Sequence, residues 1–194
     1  MTWEALAVST GVVALAEMGD KTQLLALLLA ARFRRPLPIV AGIVAATLLN
    51  HALAGAVGAW LAAHLHPTWL RWGLGLSFLG MALWMLVPDK VEEGDVRVAA
   101  RWGVFSATAL AFFLAEMADK TQVATVALTV HYAAPVMVVI GTTLGMLMAD
   151  VPAVFVGDRL ARRVPMRLVH GVAAAVFALL GAATLLGAGA SLGF

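Results

Sequence analysis

The chain has 194 residues, 62% of them hydrophobic and only 12% charged, with a formal net charge of +2. A soluble domain is about 45–50% apolar and about 25% charged, so this chain has too little polar surface for a water-soluble fold, and its mean hydropathy of +0.95 places it in a bilayer. The isoelectric point near 9.5 does not imply nucleic acid, because the basic residues are scattered through short loops, and the lack of cysteine excludes disulfides and thiolate metal sites.

Six segments are long enough to span. The start, Met1-Thr2-Trp3-Glu4, lacks a basic n-region, so the first apolar stretch is expected to be a span rather than a signal peptide. The spans predicted in chain order are Ala5–Ala31, Pro36–Ala63, Thr68–Val87, Gly103–Val130, Pro135–Val156 and Met166–Gly189. Lipid allows only helices or closed barrels, and the period-2 alternation of barrel strands is absent. Pro36 and Pro135 stand where a helix start tolerates a missing N–H. Trp3, Trp69, Trp72 and Trp102 fall near span ends, as interfacial belts do. His64, His66, His131 and His170 also lie near span ends and read as interfacial.

Loop charge sets the expected orientation. Arg32, Arg34 and Arg35, then Lys90, Arg97 and Arg101, then Arg159, Arg162, Arg163 and Arg167 all fall on one side, against Arg71 alone on the other. The positive-inside rule then puts both termini outside the cytoplasm.

The first and fourth spans carry the same charged cassette 99 residues apart: Glu17-Met18-Gly19-Asp20-Lys21-Thr22-Gln23 and Glu116-Met117-Ala118-Asp119-Lys120-Thr121-Gln122. The same offset aligns Pro36 with Pro135, Gly42 with Gly141 and Phe78 with Phe177. Three spans per repeat is an odd number, so the second repeat enters from the opposite face. The fold class expected is an all-α integral membrane protein of six transmembrane helices as two inverted three-helix repeats, residues 1–87 and 103–194, with a solvated cytoplasmic linker at 88–102.

Ionisable groups inside a bilayer are costly and mark ion or proton pathways. Read as continuous helices, Glu17 and Asp20 share a face, as do Glu116 and Asp119, and Gln23 and Gln122 extend each stripe. Side by side, the two cassettes offer four carboxylates, two glutamine carbonyls and the hydroxyls of Thr22 and Thr121, an oxygen set suited to a hard divalent cation. Lys21 and Lys120 would hold the acids in place when metal is absent. Four carboxylates and two lysines leave −2, which one divalent cation or two protons neutralise. Crowded, dehydrated carboxylates hold protons more tightly, so metal and protons compete for one site. The plainer alternative, acids and lysines serving as glue between helices, explains one pair more readily than two symmetric sets.

The halves differ at Asp150, whose repeat partner is His51. Asp150 reads as a proton-relay or gate residue ahead of a structural polar contact. Pro152 should free the Met148 carbonyl beside it and break the helix. His51 reads equally as a proton relay or as an ordinary hydrogen-bonding residue. Met18, Met117, Met146 and Met148 adjoin these acids, either as thioethers that favour a softer ion such as Mn²⁺ or as apolar filler.

The doubled Glu-x-Gly-Asp-Lys-Thr cassette in a six-span repeat resembles the GDT-one family, which includes Golgi manganese/calcium–proton exchangers and small bacterial manganese exporters. The resemblance covers nearly the whole chain and departs from the pattern at Ala118, where the family has glycine. It implies a cation–proton exchanger rather than an enzyme, with no cofactor, that binds Mn²⁺ or Ca²⁺ as cargo through Glu17, Asp20, Thr22 and Gln23 with Glu116, Asp119, Thr121 and Gln122. A bacterial plasma membrane is the setting expected. Two rivals are an intramembrane lipid-pyrophosphate phosphatase, which would want arginines in mid-span where none lies, and a non-transporting membrane scaffold.

Overall fold

The structure is a computed structural model that describes residues 2–86, 103–117, 119–156 and 166–187. The expected linker at 88–102, Ala118 and the loop arginines Arg159, Arg162 and Arg163 lie outside the described residues. Those described form an all-helical fold of eight helices: α1 (Thr2–Glu17), α2 (Lys21–Phe33), α3 (Pro36–His64), α4 (Pro67–Trp84), α5 (Val104–Glu116), α6 (Lys120–Tyr132), α7 (Pro135–Val156) and α8 (Met166–Leu185). Three of them are long and apolar enough to cross a bilayer unaided: Pro36–His64, Pro135–Phe155 and Leu168–Leu185. Leucines such as Leu76, Leu83, Leu168 and Leu179 are exposed on the outer surface, as expected where lipid is the solvent. The chain is an integral membrane protein.

The 99-residue offset recurs in the helix limits. α2 and α6 correspond at both ends, as do the ends of α1 and α5 and the starts of α3 and α7 and of α4 and α8. Local chemistry fixes several of these limits. Pro36 and Pro67 occupy first-turn positions, where a missing N–H costs nothing. Arg34 (φ 52°) and Ala133 (φ 48°), themselves repeat equivalents, take the left-handed conformation that closes α2 and α6.

The structure departs from the expected spans in one consequential way. Ala5–Ala31 and Gly103–Val130 are not single helices; each breaks at its cassette. Gly19 adopts φ 81°, open to a residue without a Cβ. Asp20 and Asp119 are extended and head the next helix. The face-sharing geometry expected of a continuous helix therefore does not apply. Conversely, α7 runs through Pro152 to Val156, so the break expected there does not occur.

Helix contacts place the two breaks together. Asn50 of α3 meets Phe113 of α5, while Gly42 of α3 abuts Phe105 and Thr108, so these helices run parallel. α7 and α1 pack in the same way, with Gly141 against Leu6 and Ser9 and Gly145 against Thr10 and Ala14. α3 and α7 run antiparallel to each other. Thr47 Oγ1 donates to Met146 Sδ at 3.2 Å, His51 Nδ1 lies 3.2 Å from Thr143 Oγ1, and Gly55 faces Val139. α4 and α8 are likewise antiparallel, with Gly75 against Gly181 and the Phe78 and Phe177 rings 6.2 Å apart. Small residues let these backbones approach closely, which is how helices associate where water does not drive them together.

Candidate cation site at two helix breaks

Each break brings a helix C-terminus and a helix N-terminus to one place. α1 ends on Glu17 and α2 starts after Asp20, with the Asp20 N–H bonded to the Glu17 carbonyl at 3.1 Å. The second cassette repeats this, with the Asp119 N–H bonded to the Glu116 carbonyl at 3.1 Å. An aspartate heading a helix is well placed for the helix dipole. Yet neither carboxylate caps its own helix. Each crosses to the other cassette instead: Lys120 Nζ lies 2.9 Å from Asp20 Oδ1, and Lys21 Nζ lies 3.1 Å from Asp119 Oδ1. This reciprocal exchange locks the two breaks face to face. Its halves are not equal, because Lys120 is 1% exposed and Lys21 is 26% exposed.

Glu17, Asp20, Glu116 and Asp119 are all buried. Glu17, Asp20 and Asp119 each bring one carboxylate oxygen within 4.8 Å of the others. Glu116 stands outside that triad. Carboxylates so close repel one another unless a proton or a cation stands between them. Thr22 Oγ1 donates to Glu17 Oε2 at 2.9 Å, and Thr121 Oγ1 donates to Glu116 Oε2 at 3.2 Å. Glu17 Oε1 and Glu116 Oε1 are buried without a hydrogen-bond partner. Buried oxygens left open in this way are what a bound cation would satisfy.

The glutamines face elsewhere. Gln23 accepts from the Gly19 N–H at 3.0 Å and donates to the Ala149 carbonyl at 3.0 Å, so its amide braces the break against α7. Gln122 donates to Asn50 Oδ1 at 3.1 Å, and Asn50 in turn donates to the Phe113 carbonyl at 3.2 Å. Ala149 and Asn50 are repeat equivalents, so one half uses a backbone carbonyl where the other uses a side chain. A groove between α3, α5 and α6, lined by Leu53, Val57, Met117 and Val123, reaches Asn50 and Gln122.

Asp150 is fully buried with both carboxylate oxygens unpartnered, and it lies within electrostatic reach of Glu17, Asp20 and Glu116. Its neighbour Ala149 accepts from the Gln23 amide, which sets Asp150 beside the first cassette. His51 is buried against Thr143 with Nε2 unpartnered. Met117 and Met148 are exposed, at 51% and 61%, and so point away from the acids. Met146 is buried and accepts from Thr47. His170, expected at an interface, instead donates from Nε2 to the Met18 carbonyl at 2.8 Å. Sequence reasoning passed over Asn50 and read His170 only as interfacial. Asn50 left a signal as a polar group in mid-span; His170 left none.

A family model described as "Divalent cation/proton antiporter GDT1" matches residues 5–93 and 104–191. The chain is 52% identical, over 92% of its own length and 89% of the other's, to a protein of Vibrio cholerae serotype O1 whose name marks it as a proposed manganese exporter. It is 26% identical to proteins named GDT1-like protein 3 from the indica and japonica subspecies of Oryza sativa, over 90% of this chain and 71% of each. No solved structure matches.

Proposed function

The chain belongs to the divalent cation/proton antiporter GDT1 family, and on that premise we propose that it exports a divalent cation, Mn²⁺ ahead of Ca²⁺, in exchange for protons. The single observation that carries the reading is the buried triad of Glu17, Asp20 and Asp119, drawn from both cassettes and crossed by two lysines. We assign cation binding to these three with Glu116. Thr22 and Thr121 orient the carboxylates of Glu17 and Glu116 through their hydroxyls. Gln23 and Gln122 brace the breaks. Lys21 and Lys120 hold the aspartates, and they would swing aside or stay as the net charge requires when a cation enters.

In this reading each broken pair, α1 with α2 and α5 with α6, crosses the membrane as one span, giving six spans in two inverted repeats, residues 1–87 and 103–194. The antiparallel pairing of α3 with α7 and of α4 with α8 supports it. The cluster of Arg32, Arg34 and Arg35 around the α2–α3 turn supports a cytoplasmic turn and, with it, both termini outside the cytoplasm; a bacterial plasma membrane is the setting we propose. Helix breaks at mid-membrane are where transporters of this kind bind ions.

A cytoplasmic cation displaces protons from the acids, the halves rock about the α3–α7 contact, and external protons expel the cation. Asp150 lies one way along the α3–α7 seam from the Thr47–Met146 contact and His51 the other way, a position for each on the proton route to either face. The test is a proteoliposome assay under an imposed pH gradient, each cation supplied in turn and internal pH followed. Glu17→Gln and Asp119→Asn should abolish cation-driven proton flux while the protein remains folded. Wild-type flux in either variant refutes the assignment.

A further inference from the structure

The break between α1 and α2 strands a backbone group. In a continuous helix the Met18 carbonyl would accept from the N–H four residues on, at Thr22. Here α2 begins at Lys21, and Met18 and Gly19 lie between the helices. A carbonyl released inside a membrane must find a donor in the protein. It finds one in His170 of α8, whose Nε2 lies 2.8 Å away. A carbonyl only accepts, so Nε2 carries the proton. This contact spans 152 residues and joins the last helix of the chain to the first cassette.

α8 is a firm anchor. Ala173, Ala174 and Phe177, the turns that follow His170, are buried in one core with Val12 and Ala16 of α1 and Phe78 of α4. The imidazole thus extends from a packed helix onto the peptide between Glu17 and Asp20. The orientation of that peptide sets how far apart those two carboxylates stand. The second cassette has no matching arrangement by sequence, because the repeat counterpart of His170 is Arg71, an exposed side chain.

We infer that His170 is a positioning residue for the cation site: its hydrogen bond to the Met18 carbonyl fixes the break so that Glu17 and Asp20 reach one ion together. The inference rests on the cation site proposed above. It assigns His170 no contact with the ion and no change of protonation. Outer partners that hold metal ligands in place are worth about 10–100-fold in metal affinity.

The test compares His170→Leu, which removes the donor, with His170→Gln, whose amide N–H reaches the same carbonyl. Both are reconstituted as the full chain and assayed with Mn²⁺ over a concentration series, alongside Glu17→Gln. Hydrogen–deuterium exchange of residues 16–24 is read without metal. His170→Leu should raise KM for Mn²⁺ about tenfold or more with kcat little changed, and should speed exchange at the break. His170→Gln should restore both. A wild-type KM in His170→Leu, or a KM in His170→Gln as poor as in His170→Leu, overturns the role. If His170→Leu does not fold, the comparison of His170→Gln with wild type decides alone: exchange at residues 16–24 and KM both near wild type support the tether, and a rise in either overturns it. Glu17→Gln separates the two ideas. Should it transport normally, the site itself is wrongly placed, whereas full loss in Glu17→Gln with no effect in His170→Leu removes only the tether.

Discussion

Replacing Gly141 with alanine adds one methyl where two helix backbones meet. The new Cβ would stand 2.7 Å from the Leu6 carbonyl oxygen and 2.9 Å from Ser9 Cβ. Ordinary contact needs about 3.5 Å, so α1 must move away from α7 by about 0.8 Å, and the atom in the way is backbone, which does not swing aside. Overpacking of this kind costs about 1–3 kcal/mol. Alanine also gains about 0.8–1.0 kcal/mol of helix propensity over glycine. Gly11, on the same α1, has nothing within 4 Å of its would-be Cβ, so Gly11→Ala shows the propensity gain alone. The difference between the two variants isolates the packing cost. It should be about 1–3 kcal/mol in favour of Gly11→Ala, read by thermal or denaturant unfolding of the purified protein in one detergent. α1 ends on Glu17, so the shift also moves a proposed ligand, and transport by Gly141→Ala should fall about tenfold or more, given how steeply function depends on sub-ångström placement. Gly42→Ala, whose Cβ would meet the Phe105 carbonyl and Thr108 Cβ at 2.8 Å, should repeat the effect on α5 and Glu116. Equal stability of Gly141→Ala and Gly11→Ala would refute the close-packing argument.

The two crossed ion pairs predict unequal losses. Lys120→Met removes the buried lysine that pairs with Asp20 and should cost about 3–5 kcal/mol, while Lys21→Met, whose lysine is partly exposed although Asp119 is not, should cost less; identical unfolding curves for the two would count against the geometry. At the proposed site a cation would displace protons from the acids, so apparent affinity for Mn²⁺ should fall as pH falls, by about tenfold per pH unit for each proton displaced. Calorimetry in buffers of different ionisation enthalpy measures that release, and an affinity flat across the range contradicts competition. Asp150→Asn should retain Mn²⁺ binding and Mn²⁺/Mn²⁺ exchange but slow the Mn²⁺-driven proton flux, and unchanged proton flux removes Asp150 from the route.

Much was legible in the residues alone. Composition and long apolar runs determined an all-helical membrane protein, because lipid leaves the backbone only helices or closed barrels and the alternation of barrel strands is absent. The 99-residue repeat is written into the helix limits, from the prolines that open α3 and α7 to the glutamates that close α1 and α5. The doubled acids marked the chemistry, since nothing apolar requires them there.

Tertiary structure decided the rest. Hydropathy is the same whether a segment is one helix or two, so nothing in Ala16–Gln23 announced that Gly19 would turn to φ 81° and split the span. Periodicity says which face a residue occupies but not what faces it. Only the packing showed that each lysine serves the opposite cassette's aspartate, and that Gln23 bridges the Gly19 N–H and the Ala149 carbonyl, next to Asp150. His170 was the least visible of all. Its partner is a backbone carbonyl 152 residues away, freed by a break that is itself tertiary, and a carbonyl carries no side-chain identity for a sequence to reveal.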